Sequence, residues 1–456
     1  MQSLVAKYIN NTNQNIFLTG KAGTGKTTFL HQLSEHTPKE MIIAAPTGVA
    51  AINAGGVTLH SLFQLPLSGF IPDNQGLTGD LRTEINTPHT LLKTVKMHRS
   101  KRDMIRSLEL LVIDEVSMLR ADTLDAIDVL LRSIRRHYDT PFGGLQVLFI
   151  GDLWQLPPVV KQEEQAILQP YYPSLYFFNA KVLQDNPLLY VELEKVYRQT
   201  DIRFVELLGH LRQNQLTKED VNLLNNKYIP NKQVLRDSNA IYLTTHNATA
   251  HRINRSQLDK IQAPSFFFDA IVSKNFKESQ YPIDAQLELK MGAKVMFIKN
   301  DISGQQRYYN GKIGIICNID DACIEVAFED GTTAIAERYC WENSKYTLNK
   351  STGELEKVVE GTFQQYPLRL AWAITIHKSQ GLTFDKAIID VANIFAAGQA
   401  YVAFSRLRSL DGLILAQPMR DNVISVEQDI IEYSRHKTTQ EALQNNFPAL
   451  SRAYFL

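Results

Sequence analysis

Over the first 150 residues, short apolar runs alternate with stretches whose apolar positions recur at helical spacing. The runs at 15–19, 41–45, 108–113 and 146–150 read as strands, and each ends in a loop rich in Gly, Pro, Asp or Thr. Strand and helix in alternation predict a mostly parallel α/β sheet, in which ligands bind outside the carboxyl ends of the strands. The stretch 64–80, QLPLSGFIPDNQGLTGD, is turn-forming and nearly uncharged, and reads as a small insertion. A second α/β region opens near Tyr190 and supplies strands at 240–244 and 387–391. Between those strands the pattern changes to hairpins. Segments 294–300 and 312–316 flank a loop ending in Asn310-Gly311, and 324–328 runs into Asp330-Gly331. Thr352-Gly353 marks a further turn. The expected organisation is a first lobe over 1–189, a second lobe over 190–290 and 362–456 with C-terminal helices, and a small all-β insertion over 291–361.

The loop after the first strand carries chemistry. Gly20 to Thr27, GKAGTGKT, fits the spacing of a phosphate-binding loop and stands between a strand and a helix, the context that gives the motif its meaning. Glycines let backbone N–H groups curl around phosphate oxygens, and the following helix turns its positive end to the anion. Gly23, Thr24, Gly25, Lys26, Thr27 and Thr28 are therefore the expected ATP contacts. Lys26 should bridge the outer phosphates and Thr27 should hold Mg²⁺. The apolar run 111–113 ends in Asp114 and Glu115. Asp114 suits the same metal, and Glu115 suits orientation of an attacking water; the plainer reading is that these acids cap the next helix. A third strand-to-loop junction, GDLWQLPP at 151–158, offers Gln155 as a sensor of the terminal phosphate. Phosphoryl transfer also needs positive charge in the transition state, for which Arg198 and Arg406 are the candidates; either taken alone reads equally well as a surface arginine.

Composition narrows the picture without deciding it. The 456 residues exceed what one core organises, and Lys+Arg and Asp+Glu are both 48. This balance excludes a generally basic binder but not a motor that is positive only along its channel. One local exception is 93–106, where Lys93, Lys96, Arg99, Lys101, Arg102 and Arg106 face a single acid, Asp103. That run reads either as a solvated face or as a nucleic-acid contact. Cys317, Cys323 and Cys340 lack metal-ligand spacing and are expected to be reduced, buried small hydrophobes. Neither a secretory leader nor a membrane-spanning run is visible in the text, so a cytoplasmic location is expected.

Taken together, the junctions resemble the superfamily-one helicases, and among them the petite-integration-frequency (PIF) family, with RecD-like helicases next. The segments that carry the likeness are 45–63 (APTGVAAINAGGVTLHSLF), 117–128 followed by Arg132, Arg135 and Arg136, and 374–384 (ITIHKSQGLTF) followed by 401–406. The resemblance implies two RecA-like lobes with a barrel-like β insertion in the second and a short wedge in the first. It implies an ATP- and Mg²⁺-dependent 5′-to-3′ helicase on single-stranded and tailed duplex DNA, with roles in repair, recombination and telomere maintenance. Guanine quadruplexes and RNA–DNA hybrids are further expected substrates. By the same likeness Gln2 reads adenine and Gly381 borders the nucleotide. Thr47, Asn53, His60, Phe63, Trp154 and Pro158 line the DNA path in the first lobe, and Thr244, His246, Asn247, His377 and Lys378 in the second; the plainer reading of Phe63 and Trp154 is as core aromatics, and of His60 taken alone as a satisfied histidine. The chain starts at its adenine-reading glutamine, so the expectation is a minimal bacterial-type core, monomeric on DNA and associated with the nucleoid. An ATP-driven translocase that remodels nucleoprotein without productive unwinding, an RNA-directed helicase, and a kinase with a phosphate loop are the alternatives.

Overall fold

The computed structural model describes residues 1–73, 85–199, 201–230, 240–301, 303, 305, 307–320, 323–349, 352, 355–391, 394, 398–419 and 427–455. Two compact units partition the chain. The first comprises Met1–Tyr197, Ser344–Val358 and Glu427–Leu456, and the second Arg198–Asn343 and Val359–Val426.

In the first unit the elements run α1 (Gln2–Asn11), β1 (Ile16–Gly20), α2 (Lys26–His36), β2 (Met41–Ala45), α3 (Gly48–Asn53), β3 (Val57–Thr58), α4 (Leu59–Phe63), β4 (Gly69–Phe70), β5 (Ile85–Asn86), α5 (Pro88–Thr94), α6 (Arg99–Ser107), β6 (Leu110–Ile113), α7 (Ala121–Arg135), β7 (Gln146–Ile150), α8 (Gln162–Leu168), α9 (Lys181–Gln184) and β8 (Leu189–Leu193). Six strands form one all-parallel sheet in the order β3-β2-β6-β7-β1-β8. Strands β1, β6 and β7 are buried at every position, as a parallel sheet covered on both faces requires. The second lobe was expected to open near Tyr190; instead that residue lies inside β8, which pairs with β1 along Ile16–Gly20 and completes the first sheet. The C-terminal helices likewise belong to the first unit. Tyr8 of α1 donates its hydroxyl to Leu443 O at 2.6 Å, and its ring meets Phe447 edge-on at 5.2 Å.

Strand β4 lies within the expected wedge insertion at 64–80 and pairs with β5 beyond it; residues 74–80 of that stretch lie outside the described residues. Helix α7, within the segment that carries the family likeness, is a framework element. Its acids Asp122, Asp125 and Asp128 recur at three-residue spacing and are all buried. Each accepts backbone N–H groups from a different segment: Asp122 from Phe70 at 3.0 Å, Asp125 from Lys181 and Val182 at 2.9 and 3.0 Å, Asp128 from Phe142 at 2.6 Å. A carboxylate has several acceptor sites, so three acids on one helix can anchor three loops whose donors would otherwise be buried unpaired.

The second unit contains a four-stranded parallel sheet in the order Ala373–Thr375, Ile241–Thr244, Ala387–Ile389, Leu413–Leu415. An antiparallel sheet of five strands follows the hairpin pattern read from the sequence: Thr333–Ala336, Ile324–Ala327, Ile313–Ile319, Lys294–Phe297 and Leu368–Leu370. Gly311 and Gly331 hold positive φ, as their turns demand, whereas Gly353 lies outside the described residues. The cysteines correct their expectation. All three are free, but Cys317 and Cys340 are exposed and Cys323 is half-exposed. On Ile313–Ile319 the alternating residues Gly314 and Ile316 face the core, which turns Cys317 outward. Among the described residues no helix is long and apolar enough to cross a membrane.

Candidate nucleotide site and nucleic-acid surface

Register assembles the site. Leu18 of β1 stands beside Ile150 of β7, Phe149 beside Ile113 of β6, and Ile113 beside Ala44 of β2. The loops that follow these strands therefore leave one sheet edge together: the phosphate loop after β1, Asp114–Glu115 after β6, and Gly151–Gln155 after β7. Gly151 must be glycine, because a Cβ there would stand 2.9 Å from Val116 N.

Gly23 and Gly25 take left-handed conformations (φ 82° and 84°), and α2 begins at Lys26, so the glycines bend the loop around the helix N-terminus. Lys26 Nζ donates to the carbonyls of Gly20 at 2.6 Å and Lys21 at 3.2 Å. Thr27 and Thr28 are exposed. Burial pushes the Asp114 carboxyl above its ordinary range; the Glu115 N–H (2.9 Å) and the charges of Lys26 and His31 oppose this. Glu115 itself holds φ 50°, a strained conformation for a glutamate. A hydroxyl, a carboxylate and a lysine around a glycine loop are the oxygen and cation set that magnesium and a nucleotide triphosphate require. Gln155 is buried, and its Nε2 donates to Asp152 Oδ2 at 3.4 Å.

The side-chain nitrogen of Gln2 lies 3.3 Å from where a Gly25 Cβ would stand, so the N-terminal glutamine borders the phosphate loop. Sequence reasoning missed Tyr197. Its N–H donates to Gly23 O at 2.8 Å, its exposed ring approaches the same Gly25 position to 3.9 Å, and Lys195 Nζ sits 5.0 Å from the ring centroid. The available signal was an aromatic directly before Arg198, but nothing local ties it to a loop 170 residues earlier.

In the second unit, Arg198 and Arg406 converge on one residue. Arg198 Nη1 donates to Ser405 O at 3.2 Å, and Arg406 Nη2 donates to Ser405 Oγ at 2.9 Å. Arg406 is 2% exposed and its Nε also donates to Val402 O, so it is a fixed buried cation rather than a surface arginine. Gly381 is exposed with φ 78°, and no atom lies within 4 Å of where its Cβ would be.

The expected DNA contacts divide. Phe63 is 0% exposed and Trp154 8%, which makes both core residues, their plainer reading, and corrects their place on the DNA path: a buried ring presents no free face for a base to stack on. Thr47 Oγ1 caps α3 by accepting from Ala50 N. Asn53 is exposed, and Pro158 and His60 are half-buried. Burial and the nearby Arg120 charge lower the His60 pKa, against a raising influence of Asp122. Arg120 in turn makes two-pronged pairs with Asp122 (2.8 and 2.7 Å) and Glu164 (3.0 and 2.7 Å), which ties β4 and α8 to the start of α7. In the second unit Thr244 is buried in its strand, whereas His246, Asn247 and Lys378 are exposed and His377 is half-buried. Asn247 and Lys378 meet at a polar cleft of about 210 Å³ that Asn254, Asp284, Arg369 and Thr375 also line.

A parallel sheet carrying a phosphate loop, paired acids on a neighbouring strand and a third loop with Asp152 and Gln155 defines a nucleotide-hydrolase core of the phosphate-loop class. Residues 1–220 match the family model described as PIF1-like helicase. A zebrafish (Danio rerio) protein named ATP-dependent DNA helicase PIF1 is 33% identical over 445 residues, covering 95% of this chain and 63% of that protein. A crystal structure of Pif1 helicase from Bacteroides is 41% identical with a TM-score of 0.86, covering 95% of each chain. The Bacteroides Pif1 structure bound to ssDNA is 42% identical with a TM-score of 0.64, again covering 95% of each. The chain belongs to the PIF1-like helicase family, and its two parallel-sheet units are RecA-like lobes. It spans somewhat under two thirds of the length of the zebrafish relative.

Proposed function

We propose that this chain is an ATP-driven DNA helicase that moves 5′-to-3′ along single-stranded DNA and separates tailed duplexes. The reading is supported chiefly by the shared sheet edge of Lys26, Asp114, Glu115 and Gln155 in a chain of this family. Lys26 neutralises phosphate charge, Glu115 orients the attacking water, and Gln155 senses the terminal phosphate. Magnesium, when bound, would be held by the Thr27 hydroxyl and the Asp114 carboxylate, and would screen the phosphate charge. Gln2 offers an amide for the base edge and Tyr197 a ring for its face. Arg198 and Arg406, anchored about Ser405, supply positive charge to the transition state. The DNA contacts proposed are Asn53, Pro158 and His60 in the first lobe, with His246, Asn247, His377 and Lys378 in the second. The enzyme acts as a cytoplasmic monomer, and its range extends to quadruplexes and RNA–DNA hybrids.

The Lys26→Ala change is expected to abolish ssDNA-stimulated ATP hydrolysis, and normal turnover in that variant would remove the basis of the reading. Duplexes with 5′ or 3′ tails test direction: preferential opening of the 3′-tailed substrate sinks the proposed polarity. Hydrolysis and translocation without strand separation would instead favour a nucleoprotein-remodelling translocase.

A further inference from the structure

The basic run at 93–106 has no part in the site above, and its fold makes it a surface. Lys93, Lys96, His98, Arg99, Arg102 and Arg106 are all exposed, with the Arg99 side chain 87% accessible. Arg99, Arg102 and Arg106 recur at helical spacing on α6, while Met104 and Ile105 hold the opposite side in the core. The one acid of the run, Asp103, lies 3.8 Å from Arg99 and 3.0 Å from Arg106, exposed pairings that contribute little and exchange readily.

The platform under these charges is firm. Arg135 at the end of α7 donates to the carbonyls of Ile105, Arg106 and Leu108, which caps the C-terminus of α6, and Arg106 Nε donates to Ile134 O at 2.8 Å. The exposed Arg136 and His137 continue the positive surface beyond α7, where Asp139 is the nearest acid along the chain. A protein of zero formal charge thus concentrates cations on one braced pair of helices.

Position separates this face from the nucleotide site. Helix α6 ends at Ser107, just before β6 starts, and α7 ends at Arg135, before β7 starts. Arg106, Arg135 and Arg136 therefore lie toward the amino ends of the strands, whereas the phosphate loop and Thr47 follow the carboxyl ends. A strand that passes Thr47 and Asn53 would have to leave that edge to reach Arg106. The exposed side chains of α5 and α6 are also cationic, polar or aliphatic; the exposed aromatic Tyr138 lies beyond α7. A duplex presents a rigid rail of one charge per ~1.7 Å, which a braced row of cations can meet without stacking rings.

We propose that the α6–α7 face, centred on Arg102 and Arg136, binds the phosphate backbone of duplex DNA, as a contact separate from the single-strand path. The proposal rests on the helicase reading for the presence of a duplex arm. The test measures affinity for a ten-nucleotide 5′ tail alone and for the same tail joined to a duplex, in the full chain and in an Arg102→Gln/Arg136→Gln variant. Joining the duplex should tighten binding by the unsubstituted chain. The variant should lose severalfold or more of that gain at low salt, and its log–log salt slope for the joined substrate should fall by about 1.8, two phosphate contacts at roughly 0.9 each. Affinity for the tail alone, ssDNA-stimulated ATP hydrolysis and melting temperature should stay unchanged. No gain from the duplex in the unsubstituted chain, an undiminished gain in the variant, or an equal loss for the tail alone would each overturn it. Loss of ssDNA-stimulated hydrolysis in the unsubstituted chain would indict the helicase reading instead.

Discussion

The two lobes treat their expected DNA contacts in opposite ways. In the first, Phe63 and Trp154 are packed away and the Thr47 hydroxyl is engaged in capping α3, which leaves Asn53 as the exposed polar side chain of the set. In the second, His246, Asn247 and Lys378 are exposed, and two of them border a polar cleft with Arg369 and Asn254. Thr, Asn and His are assigned in both lobes and Phe and Trp only in the first, so the polar residues carry the comparison: residue type alone does not say whether a side chain is offered to solvent or holds a loop in place. In the first lobe Thr47, Phe63 and Trp154 are engaged in the fold itself; in the second His246, Asn247 and Lys378 stand in solvent, and only Thr244 is buried among the named set.

The largest effect expected from this contrast is on stability. Truncating the fully buried Phe63 to Ala should cost about 3–5 kcal/mol, from lost burial and the cavity left behind, and should lower the melting temperature markedly. Were Phe63 a stacking platform, the same change would leave melting untouched and weaken ssDNA binding. Thermal denaturation alongside ssDNA titration of the folded fraction distinguishes the two outcomes.

A second consequence concerns the framework of the first lobe. Asp125 is 4% exposed, and burial pushes its carboxyl up to about 6 despite the N–H groups of Lys181 and Val182, with Asp128 adding to the rise. A folded pKa above the unfolded value of 3.8 means the native state holds the proton longer. Stability credited to this group is therefore present below about pH 4 and is lost as pH rises through 6, by up to roughly 3 kcal/mol. Urea unfolding across pH 4–7 should show that slope, and the Asp125→Asn variant should lack it whatever its absolute stability. An unchanged slope in the variant would show that the carboxylate is fully compensated by its amide donors.

How much of this was legible in sequence follows from how local each cause is. The strands at 41–45 and 146–150 are set by unbroken apolar runs between turn residues, and they fold at those limits. The phosphate loop needs only its own glycines and the helix after it. Position 190 failed as a boundary because an edge strand's allegiance depends on a partner at Ile16–Gly20, far away in sequence. Tyr197 was missed for the same reason. The acids of α7 carried the family likeness, yet their work is to receive N–H groups from residues 14 to 57 positions away. Phe63 and Trp154 show the remaining gap: an aromatic beside a functional loop looks alike in the text whether its ring faces out or in.

The smallest expected effect sharpens the second lobe's side of the contrast. Lys378 lines the polar cleft with its side chain partly exposed; partial burial, and after it the Arg369 charge, lower its pKa, while Asp284 opposes them. A lysine that contacts one phosphate of a single strand contributes about 0.7 to the log–log salt slope. Lys378→Ala should therefore reduce the slope for oligo-dT by roughly that amount, and weaken binding a few-fold at low salt. The melting temperature should hardly move, since an exposed charge removed from a surface usually changes stability by no more than about 0.5 kcal/mol. A matched Asn53→Ala variant in the first lobe removes no charge and should leave the slope as it was. If Lys378→Ala instead lowers melting and spares the slope, then Lys378 braces its cleft as Thr47 braces α3, and the two lobes differ less than their exposures suggest.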